Sequence, residues 1–143
     1  YGVFTEREMH SRYEIAMEQY ALSIGVEARS TLEMASTVIL PAALRYQTEL
    51  ATNLAALKAV GVEGDHADLD AVSTLIGSLR SGIAGLKEAL AAEVHDVEAE
   101  AKHAGLELLP AMATVREAAD ELETLVADDL WPLPTYQEML FIL

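Results

Sequence analysis

The sequence predicts an all-α domain, an antiparallel bundle of three to four long helices followed by a short C-terminal helix. Apolar residues recur at intervals of three and four along most of the chain, which is the spacing of a buried helix face. Ala, Leu, Glu and Met are abundant, and all are good helix formers. The 143 residues, 52% of them hydrophobic, are enough to bury a core. We therefore expect a single helical domain over residues 1–143.

The first helix is predicted to begin after Thr5, because Thr5 and Glu8 have the spacing of a capping box. Its apolar face follows with spacings of 4, 3 and 4, at Met9, Tyr13, Ala16 and Tyr20. Residues 23–25 end in a glycine, which is unfavourable in a helix interior. We expect a break or kink at that point.

A long second helix is predicted from about residue 26 to residue 60. Its apolar face consists of Ala28, Leu32, Ala35, Ile39, Ala42, Tyr46 and Leu50. Pro41 removes one backbone hydrogen bond inside this helix, so we expect a bend near Val38. Gly61 is expected to end the helix in the left-handed conformation. The stretch 61–68, with two glycines and three acids, indicates an exposed loop.

The third helix has the most regular pattern in the chain. Its apolar residues are Leu69, Val72, Ile76, Leu79, Ile83, Leu86, Leu90, Val94 and Val97. This spacing predicts one helix that continues to about Gly105. Gly77, Gly82 and Gly85 lie within the helix, where they allow a close approach by another helix.

A fourth helix is predicted to begin near Pro110, because proline suits the first turn of a helix. Its apolar face comprises Ala111, Val115, Ala118, Leu122 and Leu125. The stretch Trp131-Pro132-Leu133-Pro134 should be extended, since each proline disfavours helix in the residue before it. Thr135 is expected to cap a short last helix that contains Met139, Leu140 and Phe141.

The net charge of the chain limits the kinds of partner that we expect it to bind. There are 24 acidic and 9 basic residues, a net charge of −15. A surface that binds phosphates needs the opposite sign, so nucleic acid and anionic membranes are excluded as expected partners. No apolar run approaches the roughly 18 residues needed to span a bilayer. The lack of cysteine fits a cytoplasmic location, and the start at Tyr1 suggests a fragment of a longer chain.

No constellation of residues predicts a catalytic, cofactor or metal site. Glu100 and His103 have the Glu-x-x-His spacing of di-iron bundles, but the other such pair, Glu63 and His66, lies in the predicted loop. We therefore interpret Glu100 and His103 as solvated surface residues. No serine has the strand–turn–helix context of a hydrolase nucleophile.

Five residues are candidates for contacts with another domain or subunit: Arg45, Tyr46, Trp131, Tyr136 and Phe141. Arg45 and Tyr46 follow Pro41, where a bend would present them to a partner. In the alternative interpretation, Tyr46 belongs to the core and the alkyl stem of Arg45 covers it. The aromatic rings near the C-terminus admit the same two interpretations, because such rings anchor a chain end to its own bundle or to a partner.

Several segments carry a resemblance to a known family. They include Arg12-Tyr13-Glu14, Ile39-Leu40-Pro41-Ala42, Ala119-Asp120-Glu121 and Trp131-Pro132-Leu133-Pro134-Thr135-Tyr136. In this order they resemble the C-terminal helical region of type III glutamine synthetases. Residues from about 50 to 103 match only in helical character.

The resemblance implies a parent enzyme that ligates ammonia to glutamate with ATP and Mg or Mn. It implies a dodecamer of two stacked hexameric rings, in which this domain contacts the catalytic domain of its own chain and neighbouring subunits. The catalytic residues would lie upstream, so none is carried over to this chain. A free-standing helical self-association or adaptor module is the alternative, and a metal-carrying bundle enzyme is a third hypothesis.

Overall fold

The computed structural model of the chain describes residues 2–134 and 136–140. The chain forms three rods. The first rod consists of α1 (Glu6–Met34), a π-helical turn (Ala35–Ile39) and α2 (Leu40–Ala59). The second rod is α3 (Ala67–Leu90), and the third consists of α4 (Val97–His103), a second π-helical turn (Ala104–Leu108) and α5 (Leu109–Glu123). A short α6 (Tyr136–Leu140) follows. The predicted antiparallel helical bundle is confirmed.

The rods pack around one apolar core. α3 lies between α2 and α5, and α1 packs along α4, the second π turn and α5. Leu79, Leu86 and Leu122 are the largest fully buried side chains. At Gly82, α3 and α5 approach each other closely, because a Cβ there would lie 3.2 Å from Val115 Cγ2 and 3.4 Å from the Val115 backbone. The predicted close approach is confirmed at Gly82, whereas Gly77 and Gly85 face open space.

The start of α1 is the predicted capping box. The Thr5 hydroxyl accepts a hydrogen bond from the Glu8 backbone N–H at 3.3 Å. The Glu8 carboxylate accepts from the Thr5 backbone N–H at 2.8 Å and from the Thr5 hydroxyl at 2.8 Å. The predicted break at residues 23–25 is wrong, because α1 is continuous there. Ile24 and Ala28 are buried on either side of Gly25, and this burial outweighs the cost of about 0.5–1 kcal/mol for a helical glycine.

Each π turn lies just before a proline. The backbone N–H of Leu40, the residue before Pro41, donates to Ala35 five residues earlier. Leu109 donates in the same way to Ala104, just before Pro110. The wider turn accommodates the proline ring, which would clash with the carbonyl four residues before it in a regular α-helix. The distortion expected near residue 38 is thus a π turn inside a continuing rod.

In the second half of the chain one predicted helix boundary is wrong and another is confirmed. The third helix ends at Leu90, not near Gly105, and a loop follows in which Asp96 caps α4 by accepting from the Ala99 backbone N–H at 3.0 Å. Pro110 lies in the first turn of α5, as predicted for the fourth helix, but α4 and the second π turn lead into it without a break, so it does not begin a separate rod. The left-handed end of α2 at Gly61 is confirmed, with φ of 80°.

Candidate functional site

The predicted contact residues on α2 lie at its surface. Arg45 is exposed and forms no ion pair with the described residues. Tyr46 is half-buried and packs against the core. This arrangement leaves the Arg45 guanidinium available to a partner, while the Tyr46 ring already stabilises the bundle.

The Trp-Pro stretch folds back onto the bundle. Trp131 and Leu133 are half-buried and pack against the core. The indole N–H of Trp131 is buried and has no acceptor in the described part of the chain. An unsatisfied buried donor costs about 1–3 kcal/mol. The side chain of Tyr136 and the whole of Phe141 lie outside the described residues, so their predicted contacts stay predictions.

A groove of about 650 Å³ separates the second half of α1 from α5 and the Trp131 segment. Its apolar lining includes Val26, Met34, Met112, Trp131 and Leu133. Its polar lining includes Glu27, Arg116 and Asp120. A cleft with this mixture of side chains suits an apolar ridge of a partner better than a small charged ligand.

The face of α1 predicted from Met9, Tyr13 and Tyr20 turns towards α4 without being buried. Tyr13 and Tyr20 line a shallow depression with Lys102 of α4, and all three predicted residues remain roughly half exposed. A Cβ at Gly105 would lie 3.1 Å from the Tyr20 hydroxyl, so that glycine allows the ring to approach the second π turn. The expectation of a fully packed face is wrong for the first four turns of α1.

A second apolar face of α1 was missed by the sequence reasoning. Ile15, Leu22 and Val26 are exposed by 52%, 64% and 52%. Their spacings of seven and four place them on one line of the helix. That spacing was visible in the sequence, but it was masked by the stripe of Met9, Tyr13, Ala16 and Tyr20 on a different face.

His103 has a structural contact that the sequence did not suggest. It is half-buried, and its Nε2 lies 2.9 Å from the Ala89 carbonyl near the end of α3. The interpretation of His103 as a solvated residue is therefore wrong, whereas Glu100 is exposed as expected. Within residues 2–134 and 136–140, no three His, Asp or Glu side chains are placed to share a metal ion.

Two exposed groups have shifted pKa values. The Thr5 backbone N–H and then its hydroxyl donate to Glu8 and hold the pKa of that carboxyl below its ordinary value. A hydrogen bond to Glu98 and the attraction of its charge raise the pKa of Lys102. Both groups are solvent-exposed and paired within their own helices, so these shifts reflect helix stabilisation. None of the helices described is long and apolar enough to cross a membrane.

Comparison with known proteins gives consistent matches. The family profile described as "Glutamine synthetase C-terminal domain" matches residues 1–58, which cover almost all of the first rod. A glutamine synthetase of Bacteroides fragilis (strain YCH46) is 28% identical over 97% of this chain and 20% of its own length. The glutamine synthetase of Butyrivibrio fibrisolvens is 32% identical over 100% of this chain and 21% of its own length. A type-3 glutamine synthetase of Dictyostelium discoideum is 28% identical over 99% of this chain and 20% of its own length.

The fold and these matches define an all-helical domain of the glutamine synthetase family. More particularly, the chain is a C-terminal domain of that family, with a type-3 enzyme among its relatives. The resemblance found in the sequence is thereby confirmed. The chain spans about one fifth of the length of the curated relatives it matches.

Proposed function

We propose that this chain is a non-catalytic domain of a type III glutamine synthetase, with a role in structure and oligomer assembly. The parent enzyme would ligate ammonia to glutamate with ATP in the cytoplasm. ATP and Mg or Mn would bind in the portion of the polypeptide that this chain does not include. The described residues of this domain offer no ligand set that fits the metal, so no step of the reaction is assigned to them.

One observation carries the proposal: apolar side chains of α1 remain uncovered in the stretch that the family profile matches. Exposed apolar patches are typical of protein–protein contacts. The relatives are about five times as long as this chain, which provides ample polypeptide to cover them. The partners would be the catalytic domain of the same chain and neighbouring subunits of a dodecamer.

The test uses the complete reading frame that encodes this domain and a second version that stops before Thr5. Glutamine formation and native mass by light scattering are measured for both. We expect the complete enzyme to form glutamine and a single high-mass particle, and the truncated version to lose the particle and most activity. The 143-residue chain alone should bind neither ATP nor glutamate in calorimetry.

Two results would contradict the proposal. One is stoichiometric ATP binding or glutamine formation by the 143-residue chain alone. The other is a truncated enzyme that keeps both its activity and its assembled mass. A reading frame that encodes no catalytic portion would instead support the adaptor alternative.

A further inference from the structure

The residues Ile15, Leu22 and Val26 form what we call the outer face of α1. The buried residues of the same helix, Ile24 and Ala28, are two residues away from Leu22 and Val26. At 100° per residue, a step of two places side chains on roughly opposite sides of a helix. The outer face is therefore directed away from the core, and no other rod of the described chain can cover it without leaving the bundle.

The outer face runs into the groove described above. Val26 belongs to both, since it also lines the groove beside Met34 and Trp131. Leu22 in turn lines a depression between α1 and the loop that follows α3. Exposed apolar side chains thus recur along α1 from Ile15 to Met34 at the groove, a distance of about 28 Å. A surface of this length suits a helix or a folded domain as a partner.

The N-terminal part of α1 is little buried by the bundle. Residues 6–16 are all exposed, although a complete capping box begins the helix. Most helical stability in proteins comes from packing of an apolar face, and unsupported short helices are marginal in water. Ile15 of the outer face lies within this stretch, so contact there would add packing to the last of these three turns.

Charge is distributed unevenly in a way that favours this face as an interface. Residues 1–58 carry seven acidic and five basic side chains, a net charge of −2. Residues 59–143 carry seventeen acidic and four basic side chains, a net charge of −13. A segment with little net charge can meet another polypeptide without strong electrostatic repulsion. A second copy of this chain would bring a further −15 and be repelled, whereas a different polypeptide need not be.

We infer that the outer face docks against the portion of the glutamine synthetase polypeptide that this chain does not include. The inference rests on the proposed function and names the surface through which that function operates. The family profile ends at residue 58, so it contains the whole outer face and little beyond the first rod. The occupant is an apolar surface of the catalytic portion, and the contact is centred on the first rod, which carries little net charge.

Cysteine labelling tests this assignment, because the chain contains no natural cysteine. Leu22→Cys probes the outer face, and Leu106→Cys is the matched control. Leu106 is also an exposed leucine, at 71% against 64% for Leu22, but it lies on the second π turn. Each variant is reacted with a maleimide in the isolated chain and in the complete enzyme. Labelling at the introduced cysteine is followed by mass spectrometry of the peptide that contains it.

Both cysteines should react at similar rates in the isolated chain. In the complete enzyme, the reaction of Leu22→Cys should slow by about tenfold or more, because burial restricts access of the reagent. The reaction of Leu106→Cys should keep its rate. Circular dichroism of both variants should match that of the unmodified chain.

Three results would overturn the inference. Unchanged labelling of Leu22→Cys in the complete enzyme would mean that the outer face stays free. Equal slowing at both positions would indicate general occlusion without a specific contact. Protection of Leu22→Cys in the isolated chain at rising concentration, with a doubled mass in light scattering, would make the occupant a second copy. The catalytic assay is separate, so loss of the proposed function is recognised independently of the labelling pattern.

Discussion

Replacing Gly82 by alanine tests the packing of α3 on α5. The new Cβ would lie 3.2 Å from Val115 Cγ2, and 3.4 Å from the Val115 Cα and backbone N. The methyl of Val115 can turn away, but its backbone cannot without a shift of α5. Overpacking of this kind typically costs about 1–3 kcal/mol.

The same substitution also has a favourable effect, because alanine stabilises a helix relative to glycine by about 0.5–1 kcal/mol. Gly85→Ala isolates this effect, since Gly85 is in the same helix and faces open space. The free energy of unfolding should therefore be lower for Gly82→Ala than for Gly85→Ala by about 1–3 kcal/mol. Gly85→Ala itself should be more stable than the unmodified chain.

Urea unfolding followed by circular dichroism at 222 nm measures this difference. A thermal melt should show it as a separation of roughly 4 °C per kcal/mol. Gly82→Ala in a Val115→Ala background should cost less, because one of the clashing groups is gone. Equal stabilisation by Gly82→Ala and Gly85→Ala would refute the close approach of α3 and α5.

The remaining predictions concern a helix end, a side-chain contact and the core. The pKa of Glu8 is lowered in the folded chain, so its stabilising effect is present above the ordinary value of 4.5 and is lost as pH falls through the lowered pKa. The protection factors of the amides in the first turn of α1, which correct for the intrinsic pH dependence of hydrogen exchange, should fall over that range, and Glu8→Gln should remove this fall. His103→Ala should lower the free energy of unfolding by about 1 kcal/mol, because it removes the hydrogen bond between His103 and the end of α3. His95 is exposed, so the control His95→Ala should change this free energy little. Leu79→Ala should lower it by about 3–5 kcal/mol, because Leu79 is fully buried; a loss below 1 kcal/mol in urea unfolding would contradict its place in the core.

The regular parts of the fold followed directly from apolar periodicity. Val72, Ile76, Leu79 and Leu86 are buried as the spacing predicts. The same periodicity does not locate the end of α3, because Val94 and Val97 continue the apolar spacing beyond Leu90, where the helix ends. Periodicity reports which residues share a face, but a helix ends where backbone hydrogen bonding stops, and the capping residue Asp96 was the better signal.

The two prolines illustrate a different limit. Pro41 and Pro110 stand in the same local pattern, an alanine followed four residues later by Ile or Leu and then by Leu-Pro-Ala. The surrounding sequence nevertheless predicts an interruption inside a helix at Pro41 and a helix start at Pro110. In the structure both prolines have the same local conformation, with a π turn before each. Applying the first interpretation to both would have predicted the continuous third rod.

The candidate interface was harder to predict than the fold. Burial patterns identify the face that packs within a chain, but a face that packs against something outside it has the same composition. Ile15 and Leu22 therefore look like core residues by sequence and lie exposed in the domain. Only the three-dimensional arrangement separates the two, because it shows which apolar side chains the bundle leaves uncovered.

A π turn amounts to one extra residue inserted into an α-helix, and each insertion rotates everything beyond it by about 100°. The faces of α2 and α5 that meet the core are therefore set by the lengths of the segments before them. Deleting a single residue from 35–39 or 104–108 would turn the following helix and bring polar side chains inward. Insertions and deletions among related sequences should accordingly be confined to the loops at 60–66 and 91–96, while the first and third rods keep a constant number of residues.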